Sequence, residues 1–236
     1  MGFNRYNLCV RLNQLHDWHL TISESRELQN RLAPEVSRVG GVTEPLYIAG
    51  VDVSIRKSSG IGTAAAVIQE YPELNVVEIK VVTGEINFPY VPGLLSFREA
   101  PLILQCCAKL EYTPDLIMVD GQGIAHPRRL GIAAHLGLFF GVPTIGCAKS
   151  RLCGEHQIPG IEPGNFEELV DNSETIGVVL RTKYNTKPVF VSIGNKIALE
   201  DAIYWVMCCC HGYRLPEPIR FAHLAAGGNL KIAANV

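Results

Sequence analysis

The sequence indicates an α/β fold with one mixed central sheet. Three apolar runs of strand type follow one another with short links between residues 46 and 82. After residue 96, runs with helical spacing alternate with runs of strand type. Strands joined by short links pair antiparallel, whereas a strand–helix–strand order produces a parallel pair with a crossover. The sheet is therefore expected to be antiparallel in its first part and parallel in its second.

The elements are placed in order by their periodicity. A helical lead-in is expected over residues 1–43, with an amphipathic segment that opens around Ser23 and ends by Gly40. Strands are expected at residues 46–54, 63–69, 76–82, 116–119, 142–148, 176–181 and 189–193. Helices are expected at residues 97–110, 129–138 and 196–210.

The order of these elements favours one domain over residues 1–236, with a core at 44–227. The last two strands are expected to form a hairpin, and residues 154–174, rich in Gly, Pro and acids, a loop. Antiparallel strands followed by alternating helices and parallel strands, with helices flanking the sheet, are the ribonuclease H-like plan. That plan is the predicted fold.

Composition narrows the class of protein. The chain has 236 residues, is 47% hydrophobic and carries a net charge of −2, so a broad basic surface is excluded but a local basic patch is not. Its 8 cysteines include no CxxC pair, which favours reduced thiols, and residues 208–210 are interpreted as core rather than metal ligands. Without a signal-peptide pattern or a membrane-length apolar run, we expect a cytoplasmic protein with no membrane contact and no obligate protein partner.

The most informative segment is residues 116–129. An apolar strand ends abruptly at Asp120, and a loop with two glycines leads to His126, Arg128 and Arg129. A carboxylate at the carboxyl end of a buried strand lies where α/β sheets keep their chemistry. The histidine and the arginines suit a phosphate-bearing substrate. This segment predicts an enzyme that acts on phosphodiesters.

Two more carboxylates accompany Asp120. Asp52 lies inside the first strand and is either hydrogen-bonded to a turn or a metal ligand. Asp120 alone also fits a strand-end turn. Glu99 fits a capping box with Ser96, although Pro101 favours a later helix start and weakens that interpretation. Three such carboxylates can hold two divalent ions about 4 Å apart, and oxygen ligands favour Mg²⁺ or Mn²⁺.

The loop before Glu99 is stiffened by two prolines that bracket Tyr90 and Val91. An exposed tyrosine on a rigid loop can act as a wedge between bases, and the alternative is a structural turn.

Two segments resemble the hallmark motifs of the endonuclease V family. They are residues 89–99, PYVPGLLSFRE, and residues 119–128, VDGQGIAHPR. Shorter matches at 49–52, 146–152 and 215–220 follow in the family's order, so the resemblance covers about residues 46–224. It implies a ribonuclease H-like fold and a metal-dependent nuclease of DNA repair.

The resemblance also assigns roles to single residues. Asp52, Glu99 and Asp120 become the metal ligands. Among the other catalytic positions are one histidine near the cleaved phosphate, one lysine beside that phosphate and one histidine near the start of a C-terminal helix, namely His126, Lys149 and His223. The lesion-binding positions are the wedge Tyr90 and the pocket residues Gly93, Leu95, Gly121, Ile132 and Leu152.

The activity that the resemblance implies is cleavage of the second phosphodiester bond 3′ to deoxyinosine, leaving a 3′-hydroxyl and a 5′-phosphate. Mg²⁺ would be the cofactor, with Mn²⁺ as a substitute, and the partner would be DNA containing deoxyinosine. Two alternatives stay open. One is an endoribonuclease specific for inosine in RNA, and the other is a non-catalytic binder, which the complete set of carboxylates disfavours.

Overall fold

The computed structural model describes residues 12–56 and 60–230. Its centre is one mixed sheet of 8 strands in the order β3-β2-β1-β4-β5-β8-β7-β6. The strands are β1 Tyr47–Arg56, β2 Ile61–Glu70, β3 Asn75–Glu85, β4 Leu116–Val119, β5 Thr144–Ala148, β6 Phe166–Asp171, β7 Glu174–Leu180 and β8 Val189–Asn195. The helices are α1 Ile22–Leu32, α2 Leu95–Cys107, α3 Ile132–Phe140, α4 Leu199–Cys208 and α5 Glu217–Ala226, and a 3₁₀ turn Ala33–Glu35 follows α1.

Strand directions confirm the expected division of the sheet. β1 pairs antiparallel with β2, and β2 pairs antiparallel with β3. β1 pairs parallel with β4, and β4 pairs parallel with β5. The predicted hairpin is present, because β7 and β8 pair antiparallel. The mixed sheet flanked by helices agrees with the ribonuclease H-like plan.

The expected loop at residues 154–174 contains a strand that the sequence analysis missed. β6 pairs antiparallel with β7 and forms the edge of the sheet. Leu169 is the one buried residue of β6. A strand that buries so little shows no clear alternation of apolar and polar residues, which is the signal that identifies strands in a sequence.

Two helices begin later than expected because left-handed residues precede them. Arg129 has φ 54° and Lys196 has φ 52°, and neither value occurs within a right-handed helix. α3 therefore begins at Ile132 and α4 at Leu199. In the lead-in, α1 begins with a capping box between Thr21 and Glu24, and the part before residue 12 lies outside the described residues.

The two faces of the sheet bury different helices. Ile48 and Met118 pack in a cluster that includes Trp205 of α4, on one face. Ala49 and Val119 pack in a cluster with residues of α2 and α3, on the other face. Alternate residues of each strand thus serve opposite layers, as the pleat of a strand requires. Between these helix layers, Asp52 lies inside β1, while Asp120 and Lys149 directly follow β4 and β5.

The seven cysteines in the described part of the chain are free thiols, in agreement with the expected reduced state. None of the described helices has the length and apolar character needed to cross a membrane.

Candidate active site

Asp52 and Asp120 are brought side by side by the parallel pairing of β1 and β4. Val51 is paired with Val119, so the aspartates that follow them occupy equivalent positions on neighbouring strands. The backbone N–H of Asp120 also points to the Val51 carbonyl at 3.4 Å. Because neighbouring strands lie about 4.8 Å apart, the two carboxylates must face each other. The adjacency expected from the sequence is confirmed.

His223 reaches the same place from α5. A Cβ atom at Gly50 would lie 1.9 Å from the Pro218 carbonyl oxygen, so only glycine lets α5 approach β1 this closely. The Asp52 carboxylate accepts hydrogen bonds from His223 Nδ1 at 2.7 Å and from the backbone N–H of Val53 at 2.8 Å. The expected position near the start of the helix is wrong, because His223 lies in the last turn of α5.

Lys149 follows β5, the strand beside β4. Its ammonium group forms an ion pair with the Asp120 carboxylate. The backbone carbonyl of Lys149 accepts a hydrogen bond from Arg214 at 2.7 Å, a contact that the sequence analysis did not anticipate. Lys149 therefore has a long, flexible side chain whose ammonium faces a carboxylate, while its backbone is held by Arg214.

Glu99 comes from α2 and does not cap that helix. The cap residue is Leu94, and it makes no side-chain hydrogen bond, so the capping-box alternative is wrong. The Ser96 hydroxyl is instead within 3.1 Å of Nδ1 of the buried His135. The expected late start is also wrong, since α2 begins at Leu95 and contains Pro101 in its interior. Glu99 is thereby left available to the site.

The carboxylates at this site oppose one another electrostatically. Burial, and then the charges of Asp52 and Asp120, raise the pKa of Glu99 to about 8. Burial and the charge of Asp120 also raise the pKa of Asp52, while the hydrogen bond from His223 works against that rise. Like charges held together in a partly buried site favour protonation or a bound cation. The three carboxylates Asp52, Glu99 and Asp120 therefore carry more negative charge than the neighbouring cationic groups neutralise.

A metal ion fits this donor set. Within the residues that the structure describes, one group of three offers ligand atoms that all lie within 4.8 Å of one another: Asp52, Asp120 and His223. Two carboxylates and an imidazole suit a divalent cation. Glu99 does not belong to that group, although the charges of both aspartates help to raise its pKa, and its role as a ligand stays a prediction.

A cavity of about 310 Å³ opens beside Asp120. Lys149 and His126 are among the residues that line it. The six positions expected to bind the lesion all line it as well: Tyr90, Gly93, Leu95, Gly121, Ile132 and Leu152. Its volume is at the lower end of the range for small-ligand sites, about 300–1,000 Å³. Asp120, one of the predicted metal ligands, therefore lies in the same concave site as the expected base pocket.

The shape of the cavity depends on a glycine. A Cβ atom at Gly121 would lie 2.4 Å from Cγ2 of Ile132, so the two residues are already in contact across the wall. At the mouth, Tyr90 is 71% exposed, as a wedge requires, although an exposed tyrosine is also compatible with a structural turn. The exposed position fits the wedge hypothesis without testing its role.

The imidazole of His126 and the guanidinium groups of Arg128 and Arg129 form hydrogen bonds and ion pairs with other groups of the protein. His126 is buried, its Nδ1 accepts from the Arg128 backbone N–H at 3.1 Å, and its Nε2 lies 2.8 Å from the Gly93 carbonyl oxygen. Burial lowers the pKa of His126 to about 4, so the ring is neutral near pH 7. Arg129 is paired with Asp171 and Glu174. The expectation that this segment faces a phosphate is not reflected in these contacts.

Two glutamines in the cavity wall were missed. Gln29 of α1 and Gln122 between the two glycines are both buried and line the cavity. Gln122 donates to the Ser150 carbonyl at 2.8 Å. Its position on the buried face of an amphipathic helix, where a polar residue is unusual, was the one sequence feature that could have marked Gln29 as a pocket residue.

Comparisons with known proteins agree with this geometry. Residues 30–224 match the sequence profile of Endonuclease V. Endonuclease V of Dehalococcoides mccartyi is 52% identical over 217 residues, which cover 92% of this chain and 97% of that protein.

Solved structures show the same architecture. The Bacillus subtilis Endonuclease V structure superimposes with a TM-score of 0.89 at 31% identity, covering 92% of this chain and 96% of that one. Endonuclease V of Ciona intestinalis, in complex with a 24mer DNA containing an inosine followed by a ribo-adenosine, gives 0.76 at 28% identity, covering 88% and 96%. Because the profile and the relatives span most of the chain, this protein belongs to the Endonuclease V family and is a nuclease.

Proposed function

We propose that the protein recognises deoxyinosine in DNA and hydrolyses the second phosphodiester bond on the 3′ side of the lesion. The observation that carries the proposal is the succession of Asp120 and Gly121. Asp120 faces Asp52 in the carboxylate group, and Gly121 forms the cavity wall against Ile132. One short stretch of backbone thus joins the pocket to the carboxylates. That rigid link supports cleavage at a fixed distance from the recognised base.

Selection of the base follows from the size and chemistry of the cavity. Hypoxanthine pairs weakly, so turning it out of the helix costs less than the few kcal/mol needed for a normal base. It is guanine without the exocyclic amine, and a close wall can exclude that amine. Gly121 and Ile132 are packed so closely that this part of the wall has no room for an additional atom. Tyr90 at the mouth would fill the gap that the base leaves in the strand.

The hydrolysis forms a bond from a water oxygen to phosphorus and breaks the bond from phosphorus to O3′, which takes up a proton. Lys149 would turn its ammonium from Asp120 toward the phosphate, and His223 would hold the orientation of Asp52. Asp52, Asp120 and Glu99 would hold the metal. When bound, Mg²⁺, or Mn²⁺ in its place, would lower the pKa of the attacking water and offset the charge of the phosphate.

A second candidate is cleavage beside inosine in RNA. The strand bound by the Ciona relative carries a ribo-adenosine directly after the inosine, so a ribose at that place is accommodated in that protein. This observation justifies RNA as a parallel substrate in the test.

The test uses labelled strands that carry one deoxyinosine in DNA or one inosine in RNA. With Mg²⁺ we expect a single nick at the second bond 3′ to deoxyinosine, and with EDTA none. The fragment ends are identified by polymerase extension of the 3′-hydroxyl and by ligation of the 5′-phosphate. A lack of metal-dependent cleavage in both strands would refute the proposal, whereas cleavage of the RNA strand alone would favour the second candidate.

A further inference from the structure

We propose that Gln29 of α1 is a positioning residue for lesion recognition. It would act through the turn at Gly93, which supports the Tyr90 loop, residues 88–94 between β3 and α2. The proposal rests on the proposed function, since it concerns the same pocket. Gln29 lies just outside residues 30–224, the part of the chain that matches the family profile. The lead-in helix would thus contribute to the specificity of the site.

Gln29 is buried, with 1% of its surface exposed, and every polar atom of its side chain is used. Its Nε2 donates to the Gly93 carbonyl at 3.0 Å and to the Leu130 carbonyl at 2.9 Å. Its Oε1 accepts from Nε of Arg128 at 2.6 Å. A buried amide that donates both of its N–H groups and accepts at its oxygen is held in one orientation. Gln29 can therefore transmit a fixed geometry rather than merely fill space.

The Gly93 carbonyl oxygen is the centre of this arrangement. It accepts hydrogen bonds from Gln29, from Nη2 of Arg128 at 2.9 Å and from Nε2 of His126 at 2.8 Å. We call these three side chains the loop clamp. Three donors on one carbonyl fix the plane of that peptide. Gly93 itself has φ 79°, and a Cβ atom there would lie 2.9 Å from Arg128 Nη2, so the clamp closes directly on the glycine.

The Tyr90 loop is held at both ends and open between them. At its start, Nη1 of Arg98 donates to the Phe88 carbonyl at 2.6 Å. At its end, the Leu94 backbone N–H donates to the Val91 carbonyl at 2.9 Å, which closes the turn above the clamp. Tyr90 is exposed between these points. Its position relative to the cavity is therefore set by the two anchors, and Gln29 supplies part of the second.

Gln29 is the member of the clamp best suited to a test. His126 and Arg128 belong to the loop that carries the catalytic Asp120, so their removal would disturb the chemistry directly. Gln29 comes from a separate helix, and its hydrogen bonds in the described structure go to Gly93, Leu130 and Arg128. Its replacement can alter the turn while leaving the metal site in place.

The experiment compares Gln29→Leu with Gln69→Leu. Gln69 is also a fully buried glutamine, and it donates to the Leu74 carbonyl at 2.7 Å in the β2–β3 turn, away from the site. Gln29→Leu removes three buried hydrogen bonds, whereas Gln69→Leu removes one together with a buried Oε1 that has no described partner, so Gln29→Leu should lower the melting temperature more. We expect Gln29→Leu to lower kcat/KM on the deoxyinosine strand about tenfold, as misplacement of a recognition element does. Discrimination against a deoxyguanosine strand should fall with it, and Gln69→Leu should change neither.

Two further measurements keep the proposal falsifiable. Amide hydrogen exchange of residues 88–95 should be faster in Gln29→Leu than in Gln69→Leu. In a Tyr90→Ala background, Gln29→Leu should have little additional effect on discrimination, because both changes act on the same loop. If Gln29→Leu does not fold, Gln29→Glu replaces it, because that variant keeps the acceptor for Arg128 and places a carboxylate against two carbonyls.

The outcomes separate this proposal from the proposed function. A wild-type protein that fails to nick the deoxyinosine strand refutes the proposed function. A wild-type protein that nicks normally, with Gln29→Leu and Gln69→Leu alike in discrimination and in exchange of the loop, refutes the role of Gln29. Additive effects of Gln29→Leu and Tyr90→Ala would show that Gln29 acts elsewhere and would also overturn it.

Discussion

The carboxylate cluster, Asp52, Glu99 and Asp120, meets through Asp120 the cavity that Gly93 also lines, and the cluster and the loop clamp around Gly93 are balanced in opposite ways. In the cluster, burial and then the like charges of the neighbouring aspartates raise the pKa of Asp52 and bring that of Glu99 to about 8. In the clamp, the Gly93 carbonyl accepts from every one of its three neighbours. The carboxylate cluster has fewer positive than negative groups, although Lys149 is paired with Asp120, whereas the Gly93 carbonyl has all its hydrogen bonds made.

This difference teaches how the two tasks are divided. A site that is to hold a cation must keep its ligands in an arrangement that is unfavourable without one. A pocket that is to select a base must already have its final shape, since any adjustment would cost affinity. Changes to the cluster should therefore abolish cutting and spare lesion binding, while changes near the clamp should affect selection. The predictions below test that division.

The largest effect is expected from Asp52→Ala or Asp120→Ala. Loss of a metal-binding carboxylate removes several kcal/mol of transition-state stabilisation, which corresponds to a fall in kcat on the order of 10³-fold. Some lesion binding in Ca²⁺, measured by fluorescence anisotropy, should persist because the six predicted lesion-binding residues keep their side chains. The control is Glu162→Gln, which alters an exposed carboxylate away from the site. Cleavage retained by both alanine variants would contradict the metal assignment.

Gly121→Ala tests how tightly the pocket is built. The new methyl group would lie 2.4 Å from Cγ2 of Ile132, so one wall must move. Overpacking of this kind costs about 1–3 kcal/mol, and we expect a loss of that size in the affinity for a deoxyinosine strand. The effect should be smaller when Gly121→Ala is combined with Ile132→Ala, which removes the methyl group that it meets. Full additivity of the two changes would show that this contact does not shape the pocket.

Acid should destabilise the protein through His135, a buried residue of α3. Burial lowers the pKa of His135 to about 3, and its Nε2 lies 2.7 Å from Nε2 of His16. Since the unfolded chain binds the proton with a pKa of about 6.5, this contribution is complete above that pH and is lost as the pH falls toward 3. Between pH 7 and pH 5 the free energy of unfolding should drop by about 2 kcal/mol on this account.

Urea unfolding at the two pH values measures that drop. His135→Gln removes the titrating ring but keeps a polar side chain, so its own loss between pH 7 and pH 5 should be smaller by about 2 kcal/mol. An equal loss in the variant and the wild-type protein would show that His135 is not the source.

Tyr90→Ala is expected to have the smallest of these effects and the most selective one. An aromatic side chain that stacks on a base contributes about 1–3 kcal/mol, so discrimination between deoxyinosine and undamaged strands should fall about tenfold. Mg²⁺ dependence should stay unchanged, because the loop does not hold the metal. Tyr184→Ala serves as the control, since Tyr184 is also exposed, at 57%, and does not line the cavity. Unchanged lesion affinity in Tyr90→Ala would refute the wedge.

The local pattern of the chain was sufficient for most of the sheet and for the aspartate pair. The apolar runs in β1, β2, β3 and β4 are long enough, or sharply enough bounded, to be read directly. Once β1 and β4 are taken as parallel neighbours, Asp52 and Asp120 must meet. Their meeting depends on residues adjacent in sequence and on one pairing, which is why it was predictable.

The rest of the site depended on contacts between distant parts of the chain. Gln29 and Leu130 are hydrogen-bonded across a separation of 101 residues, and His223 and Asp52 across 171. Arg129 was expected at a phosphate and is instead paired with Asp171 and Glu174. The periodicity of apolar residues does not predict such partners, because the hydrogen bonds of a side chain depend on which groups the packing of helices and strands places near it.

By itself, then, the sequence determined the order of most strands and helices, one aspartate inside β1 and another directly after β4, and the family motifs that contain them. The tertiary structure alone decided which charges are balanced and which are not. Apolar periodicity is a property of short windows of consecutive residues, so it can be recognised in the sequence alone. The electrostatic imbalance of Glu99 and the hydrogen bonds of the loop clamp arise from burial and proximity, which exist only after the sheet has brought its helices together.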